Sequence, residues 1–191
     1  MKIFGIDPGS ERTGYGCIET DGSRHQLIIC GAITSPASTS FPDKLHAIHT
    51  QLAALLRKCR PDAVAIENLF FATNVRSALK LGHARGVAML AAVEAGVLVV
   101  EYTPAEIKRA VDGYGRAEKH QVQQMVKLIL GLPAPPSPHD AADALAVAIC
   151  HVHSLGPRQL AAPGTAPLAA RGKTATSWRH YKPAKGLGIR G

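Results

Sequence analysis

Nowhere in this chain of 191 residues do about 18 apolar residues run together, so the sequence offers no membrane-crossing helix. No basic-then-apolar leader precedes the strand pattern that starts at Lys2, and the expected compartment is the cytoplasm. The four cysteines, Cys17, Cys30, Cys59 and Cys150, include no CxxC pair. Three of them lie inside apolar patterns, where a reduced, buried thiol is the ordinary occupant. Cys150-His151-x-His153 lacks the paired spacing of zinc modules and reads as the end of a helix. The longest stretch without an acidic residue is the C-terminal one. Residues 157–191 hold Arg158, Arg171, Lys173, Arg179, Lys182, Lys185 and Arg190 with no Asp or Glu, so they supply +7 of the net +8. The first 156 residues are then near neutral, and the basic character belongs to a tail.

What the chain does contain fits one domain with a substantial core, at 46% hydrophobic residues. Lys2–Asp7, Gly14–Glu19 and Gln26–Thr34 read as three short strands, with a hairpin at Asp21-Gly22. Leu45, Ile48, Leu52, Leu55 and Leu56 recur at helical spacing until Arg60-Pro61-Asp62 breaks the pattern. Ala63–Ile66 follows as a buried strand, which makes the helix a crossover. Asn74 caps a long helix ending near Gly96, and Val97–Glu101 is a further strand. Gly82 and Gly86, four apart in that helix, mark close approach by another element or subunit, or are simply tolerated. Thr103-Pro104 opens the next helix, and Ala117–Leu130 is another. Pro133–Pro138 is a stiff connector to a last helix over His139–His153, with Asp140 and Asp143 in its first turn. Beyond residue 156, Pro, Gly, Ala and basic residues dominate without periodicity, and disorder is the expectation. The domain division is therefore 1–156 and a basic tail over 157–191.

Four acids stand out from this frame. Asp7 ends the first strand and Glu67 ends Ala63–Ile66, where open sheets deliver functional side chains. Asp140 and Asp143 share one helix face. For any single acid, capping or simple exposure is the commoner role. Asp143 resists that reading, because Ala141, Ala142, Ala144 and Leu145 surround it and an unpaired carboxylate there is costly. Like charges about 4 Å apart repel by roughly 4 kcal/mol per pair at an effective dielectric near 20, and a cation is the simplest remedy. All-oxygen ligands favour Mg2+ or Mn2+, and a pair of such ions suits phosphodiester cleavage.

Gly5-Ile-Asp-Pro-Gly-Ser with Thr13-Gly-Tyr-Gly, Ala65-Ile-Glu, Ser77-Ala-Leu-Lys-Leu-Gly-His-Ala-Arg-Gly-Val, Ala117-Glu-Lys-His-Gln-Val and Asp140-Ala-Ala-Asp-Ala-Leu-Ala together resemble the RuvC-type Holliday-junction resolvases over about residues 1–153. The resemblance implies an RNase H-like α/β fold, a mixed five-stranded sheet flanked by helices. It implies a homodimer that nicks two strands of a four-way DNA junction symmetrically, with Asp7, Glu67, Asp140 and Asp143 holding two Mg2+ (or Mn2+) ions. It implies partnership with the RuvA and RuvB branch-migration proteins. Phe70 occupies the position of a base-stacking residue, with Phe71 as the alternative, and Lys108 and Lys119 match basic positions near the scissile phosphate. His139 precedes an intact aspartate pair, so its expected role is to support a ligand or to transfer a proton, with helix capping as the plain alternative. Arg76, Lys80, Arg85, Arg109 and Arg116 are further basic candidates for DNA backbone contact. Two other functions remain open from sequence: a noncatalytic junction-binding scaffold, and an actin- or sugar-kinase-like ATPase using Gly5-Ile-Asp-Pro-Gly-Ser as a phosphate loop.

Overall fold

A computed structural model describes residues 1–68, 74–113 and 118–155. Among these, ten elements follow one another: β1 (Lys2–Asp7), β2 (Arg12–Thr20), β3 (His25–Thr34), α1 (Phe41–Cys59), β4 (Ala63–Glu67), α2 (Val75–Glu94), β5 (Leu98–Tyr102), α3 (Pro104–Asp112), α4 (Lys119–Ile129) and α5 (His139–Ser154). The five strands form one sheet in the order β3-β2-β1-β4-β5. β1, β2 and β3 pair antiparallel, while β4 runs parallel to both β1 and β5. The sheet is mixed for a local reason. The tight β2–β3 turn at Asp21, whose carboxylate accepts from the backbone N–H of Ser23 and Arg24, returns the chain antiparallel. The crossover helices α1 and α2 allow parallel pairing.

Strand alternation sorts the core into two layers. Phe4, Ile6, Cys17, Val64 and Ile66 pack under α1 and α2. Ile3, Ile18, Ala63 and Ala65 pack under α3, α4 and α5. β4 is buried from Ala63 to Ile66 on both faces, as a central parallel strand must be. The helix ends follow their sequence signals. The Asn74 side chain accepts from the N–H of Arg76 and Ser77, and Thr103 with Glu106 closes a capping box on α3. Arg60, at φ 49°, ends α1 in the left-handed region.

Three placements differ from the sequence reading. β2 begins at Arg12 instead of Gly14, because pairing with β3 continues past the last β1 pair, Asp7 with Gly14, and joins Thr13 to Ile33 and Arg12 to Thr34. Asp143 lies one turn further into α5 than its first turn, since the helix begins at His139. A Cβ added to Gly82 or Gly86 would meet nothing within 4 Å, so no described element of this chain approaches either glycine. The close approaches occur elsewhere. A Cβ on Gly5 would fall 2.0 Å from the Ala144 carbonyl oxygen, and one on Gly16 would meet the Leu145 side chain at 2.6 Å. The alanine-rich α5 therefore lies directly on the strand backbones, with nothing between.

Candidate active site

The acids meet because parity and register agree. Ile3, Gly5 and Asp7 alternate onto the face covered by α5, and so do Ala63, Ala65 and Glu67. Ile3 pairs with Ala63 and Gly5 with Ala65, so two residues further on Asp7 and Glu67 stand side by side. On the other flank Asp7 pairs with Gly14, over which Asp140 is seated: a Cβ on Gly14 would fall 2.0 Å from the Asp140 carbonyl oxygen. Asp143 follows Asp140 on the same side of α5.

The carboxyl groups act on one another. Asp7 is pushed up to about 8, first by burial, then by the charge of Glu67, a hydrogen bond with Glu67, and the charges of Asp143 and Asp140. Glu67 is raised by burial, opposed by the hydrogen bond from Asp7 and by Lys119 and Lys108, with the Asp143 charge adding to the rise. Asp143 is raised by burial too, against the lowering effects of Lys119, His139 and Lys108. Buried acids that cannot all ionise share protons, and the protonated Asp7 carboxyl donates to the Glu67 carboxylate. Among the described residues no group of three His, Cys, Asp or Glu side chains forms a preformed metal cage. The donor set is all oxygen, and three of its members hold protons more tightly than ordinary carboxyls do. Both properties fit a hard divalent cation.

Lys108 on α3 and Lys119 on α4 are the cations that act on this cluster. His139 opens α5, and the buried Gln123 of α4 donates its side-chain N–H to His139 Nδ1. Phe70, its alternative Phe71, Arg116 and the basic tail lie outside the described residues. Of the other basic residues, Arg85 is paired with Glu101 of β5, and Lys80 Nζ lies 5.7 Å from the centre of the Phe41 ring. Arg85 thus ties α2 to the sheet.

Two neighbours of the site escaped sequence reasoning. Arg12 Nη1 stands 3.8 Å from Asp140 Oδ2, and Gln123 has no sequence signal apart from its position one turn after Lys119. All four cysteines are free thiols. His151 and Ser154 share the Tyr102 hydroxyl at 2.8 and 2.7 Å, so the Cys-His-x-His stretch is a helix end held to β5. No helix among the described residues is long and apolar enough to cross a membrane.

Comparison with known proteins bears on the same residues. The family model described as crossover junction endodeoxyribonuclease RuvC matches residues 3–151. The chain is 54% identical over 154 residues to a crossover junction endodeoxyribonuclease RuvC of Ruminiclostridium cellulolyticum, covering 81% of this chain and 93% of that one. A protein of the same name from Trichlorobacter lovleyi is 49% identical over 183 residues, covering 96% of this chain and 100% of its own length, so this likeness runs on through most of the basic tail. Among solved structures, Thermus thermophilus RuvC in complex with Holliday junction substrate superposes with a TM-score of 0.74 at 34% identity, over 80% of this chain and 94% of that one.

Proposed function

The chain belongs to the RuvC family of crossover junction endodeoxyribonucleases, and from that membership we propose that it resolves four-way DNA junctions by paired, symmetric nicks in recombination and repair. The observation that carries the reading is the convergence of Asp7, Glu67, Asp140 and Asp143 at one end of β1, β4 and α5, flanked by Lys108 and Lys119.

The four carboxylates would hold divalent cations, Mg2+ or Mn2+, and two per site match the number of acids. When bound, such ions supply the positive charge that polarises a phosphodiester and lowers the cost of deprotonating water. The protein's own residues do the rest. Gly5 and Gly14 let α5 lie low enough for Asp140 and Asp143 to reach the strand acids. Lys119 and Lys108 offset the negative field at Glu67 and Asp143 and are placed to offset charge that develops on phosphate. Gln123, donating to Nδ1, holds the His139 ring in one orientation. The expected products are 5′-phosphate and 3′-hydroxyl ends. In this reading Phe70 stacks on a base where the junction opens, a contact that contributes about 1 to 3 kcal/mol.

Symmetric nicking calls for two active sites, and α2 supplies a face for a homodimer. Its buried residues are alanines, Ala84, Ala88, Ala91 and Ala92, whereas Val75, Leu79, Leu90 and Val93 are 51 to 75% exposed. Gly82 and Gly86 fall in the same stripe at three- and four-residue spacing, giving a groove that a second helix can enter. Association with RuvA and RuvB, and placement in the cytoplasm with the chromosome, follow from the family and belong to the same proposal.

A labelled synthetic four-way junction and a linear duplex of the same sequence, each with and without Mg2+, test this function in one gel. Paired nicks confined to the junction and dependent on the metal are expected. Tight junction binding without cleavage in Mg2+ or Mn2+ would refute the nuclease and leave a scaffold.

A further inference from the structure

The β1–β2 connection is braced beyond what a turn needs. Gly9 approaches Arg12 so closely that a Cβ would lie 2.0 Å from the Arg12 carbonyl oxygen. The fully buried Thr13 donates its hydroxyl to the Gly9 carbonyl at 2.9 Å. Glu11 is drawn the other way, to Lys44 Nζ at 2.6 Å, a lysine whose side chain is only 9% exposed. The turn is thereby fixed at both ends, and Glu11, the acid next to Arg12 in sequence, is already paired. What the brace presents is the Arg12 guanidinium, 61% exposed, with Nη1 3.8 Å from Asp140 Oδ2.

An ion pair at that distance and exposure contributes little to stability, so stability does not explain where Arg12 is held. Charge placement does. Lys108 and Lys119 approach the acids from α3 and α4 and act on Glu67 and Asp143, while Arg12 approaches from β2 and reaches Asp140. A DNA strand laid across the acidic cluster would meet cations on both sides of it. Guanidinium is also the side chain whose planar fork matches two phosphate oxygens at once.

We propose that Arg12 is a phosphate-binding residue of the nuclease, gripping a backbone phosphate next to the scissile one on the side away from Lys108 and Lys119, and that its pairing with Asp140 is the DNA-free arrangement. Substrate phosphate replaces Asp140 as the partner of Arg12, which frees that carboxylate for its other task. The inference rests on the junction-nuclease reading and assigns a residue that reading leaves unused.

The test compares the full-length chain with Arg12→Ala and Arg12→Lys, in cleavage and in junction binding over a salt series, the binding measured in an Asp7→Asn background that does not cut. For Arg12→Ala we expect KM to rise roughly tenfold with kcat changed far less, and the log-log salt slope to fall by about 0.9 for each Arg12 engaged. Arg12→Lys should restore the slope, because it keeps the charge, and only part of the affinity, because it loses the fork. An unchanged KM and salt slope overturn the proposal. So does an unchanged slope accompanied by a shifted metal requirement, which would make Arg12 a restraint on Asp140 and nothing more. A wild-type chain that binds junctions without cutting them overturns the nuclease reading instead, and the salt slope still decides Arg12.

Discussion

Gly14 and Asp140 are in direct backbone contact, with the position of a Gly14 Cβ only 2.0 Å from the Asp140 carbonyl oxygen and 3.2 Å from the Asp140 Cβ. Because Gly14 is also the strand partner of Asp7, one position without a side chain sets the height of the α5 acids above the β1 acid. Gly14→Ala should therefore lift the start of α5. The expected cost is about 1 to 3 kcal/mol of stability from overpacking and on the order of 100-fold in cleavage from displaced ligands. Gly16→Ala is the control. It meets the Leu145 side chain, which can rotate, and should lower the melting temperature with much less effect on cleavage. Equal loss of cleavage in both variants would show that general packing, not the seating of Asp140, is what matters.

Asp7 makes the metal-free protein sensitive to pH in an uncommon direction. Its folded value is about 8 against an ordinary 3.8, so between those limits the folded chain binds more protons than the unfolded one. Stability present below about pH 4 is lost as pH rises towards 8. In a chelator, the melting temperature should fall from about pH 5 to about pH 8 more steeply than in Asp7→Asn, which has no carboxyl to ionise there. Mg2+ should flatten the wild-type curve by stabilising the ionised cluster. The same substitution should keep junction binding and abolish nicking. Full nicking by a folded Asp7→Asn preparation would remove Asp7 from the site.

The exposed apolar stripe on α2 predicts association through that helix. Leu79→Glu and Leu90→Glu each place a charge where residues 59% and 51% exposed in the single chain would become buried between two. Sedimentation should show a dimer for the parent and a monomer for the double variant, with the single-chain melting profile little changed. Loss of paired nicking is expected with the dimer. A double variant that sediments as a dimer would assign the interface to another surface.

Much of this fold was legible because its signals are local. Ala63–Ile66 announces a buried strand, Asn74 and Thr103 announce helix starts, and each caps the helix it was expected to cap. The acids were legible singly, as strand ends and a three-residue spacing. Their meeting depended on register, which pairs Ile3 with Ala63 and not with Val64, and register is set by contacts distant in sequence. For the same reason Arg85 looked like a free cation until β5 brought Glu101 to it, and nothing local marked Arg12 as a neighbour of Asp140. Glycines were misjudged by context. Gly82 and Gly86 drew notice inside a helix, while Gly5 and Gly14 passed as ordinary strand residues although the helix seats on them.

The thiols give an independent check on the two core layers. Cys17 and Cys150 are each pushed up to about 12, chiefly by burial, with the nearby Cys59 adding to the effect at Cys17. At about pH 8 only about one in ten thousand would be a reactive thiolate. Iodoacetamide should leave both unmodified in the folded chain and alkylate all four cysteines in guanidinium. The half-buried Cys30 is the first expected to react as the sheet edge opens. Rapid labelling of Cys17 or Cys150 under native conditions would mean that its layer is not packed as described.

The seven cations of residues 157–191 predict a division of labour with the catalytic domain. That domain is near neutral overall, so its affinity for junctions depends on shape and a few placed cations. A tail with seven positive charges and no acid is expected to add affinity for any phosphate backbone, each phosphate it neutralises steepening the log-log salt slope by about 0.9. Truncation after Gly156 should therefore weaken binding to junction and duplex alike at low salt, flatten the slope, and leave the preference for junction over duplex in place. An unchanged slope after truncation would show that the tail does not touch DNA, and a lost junction preference would show that it reads shape as well as charge.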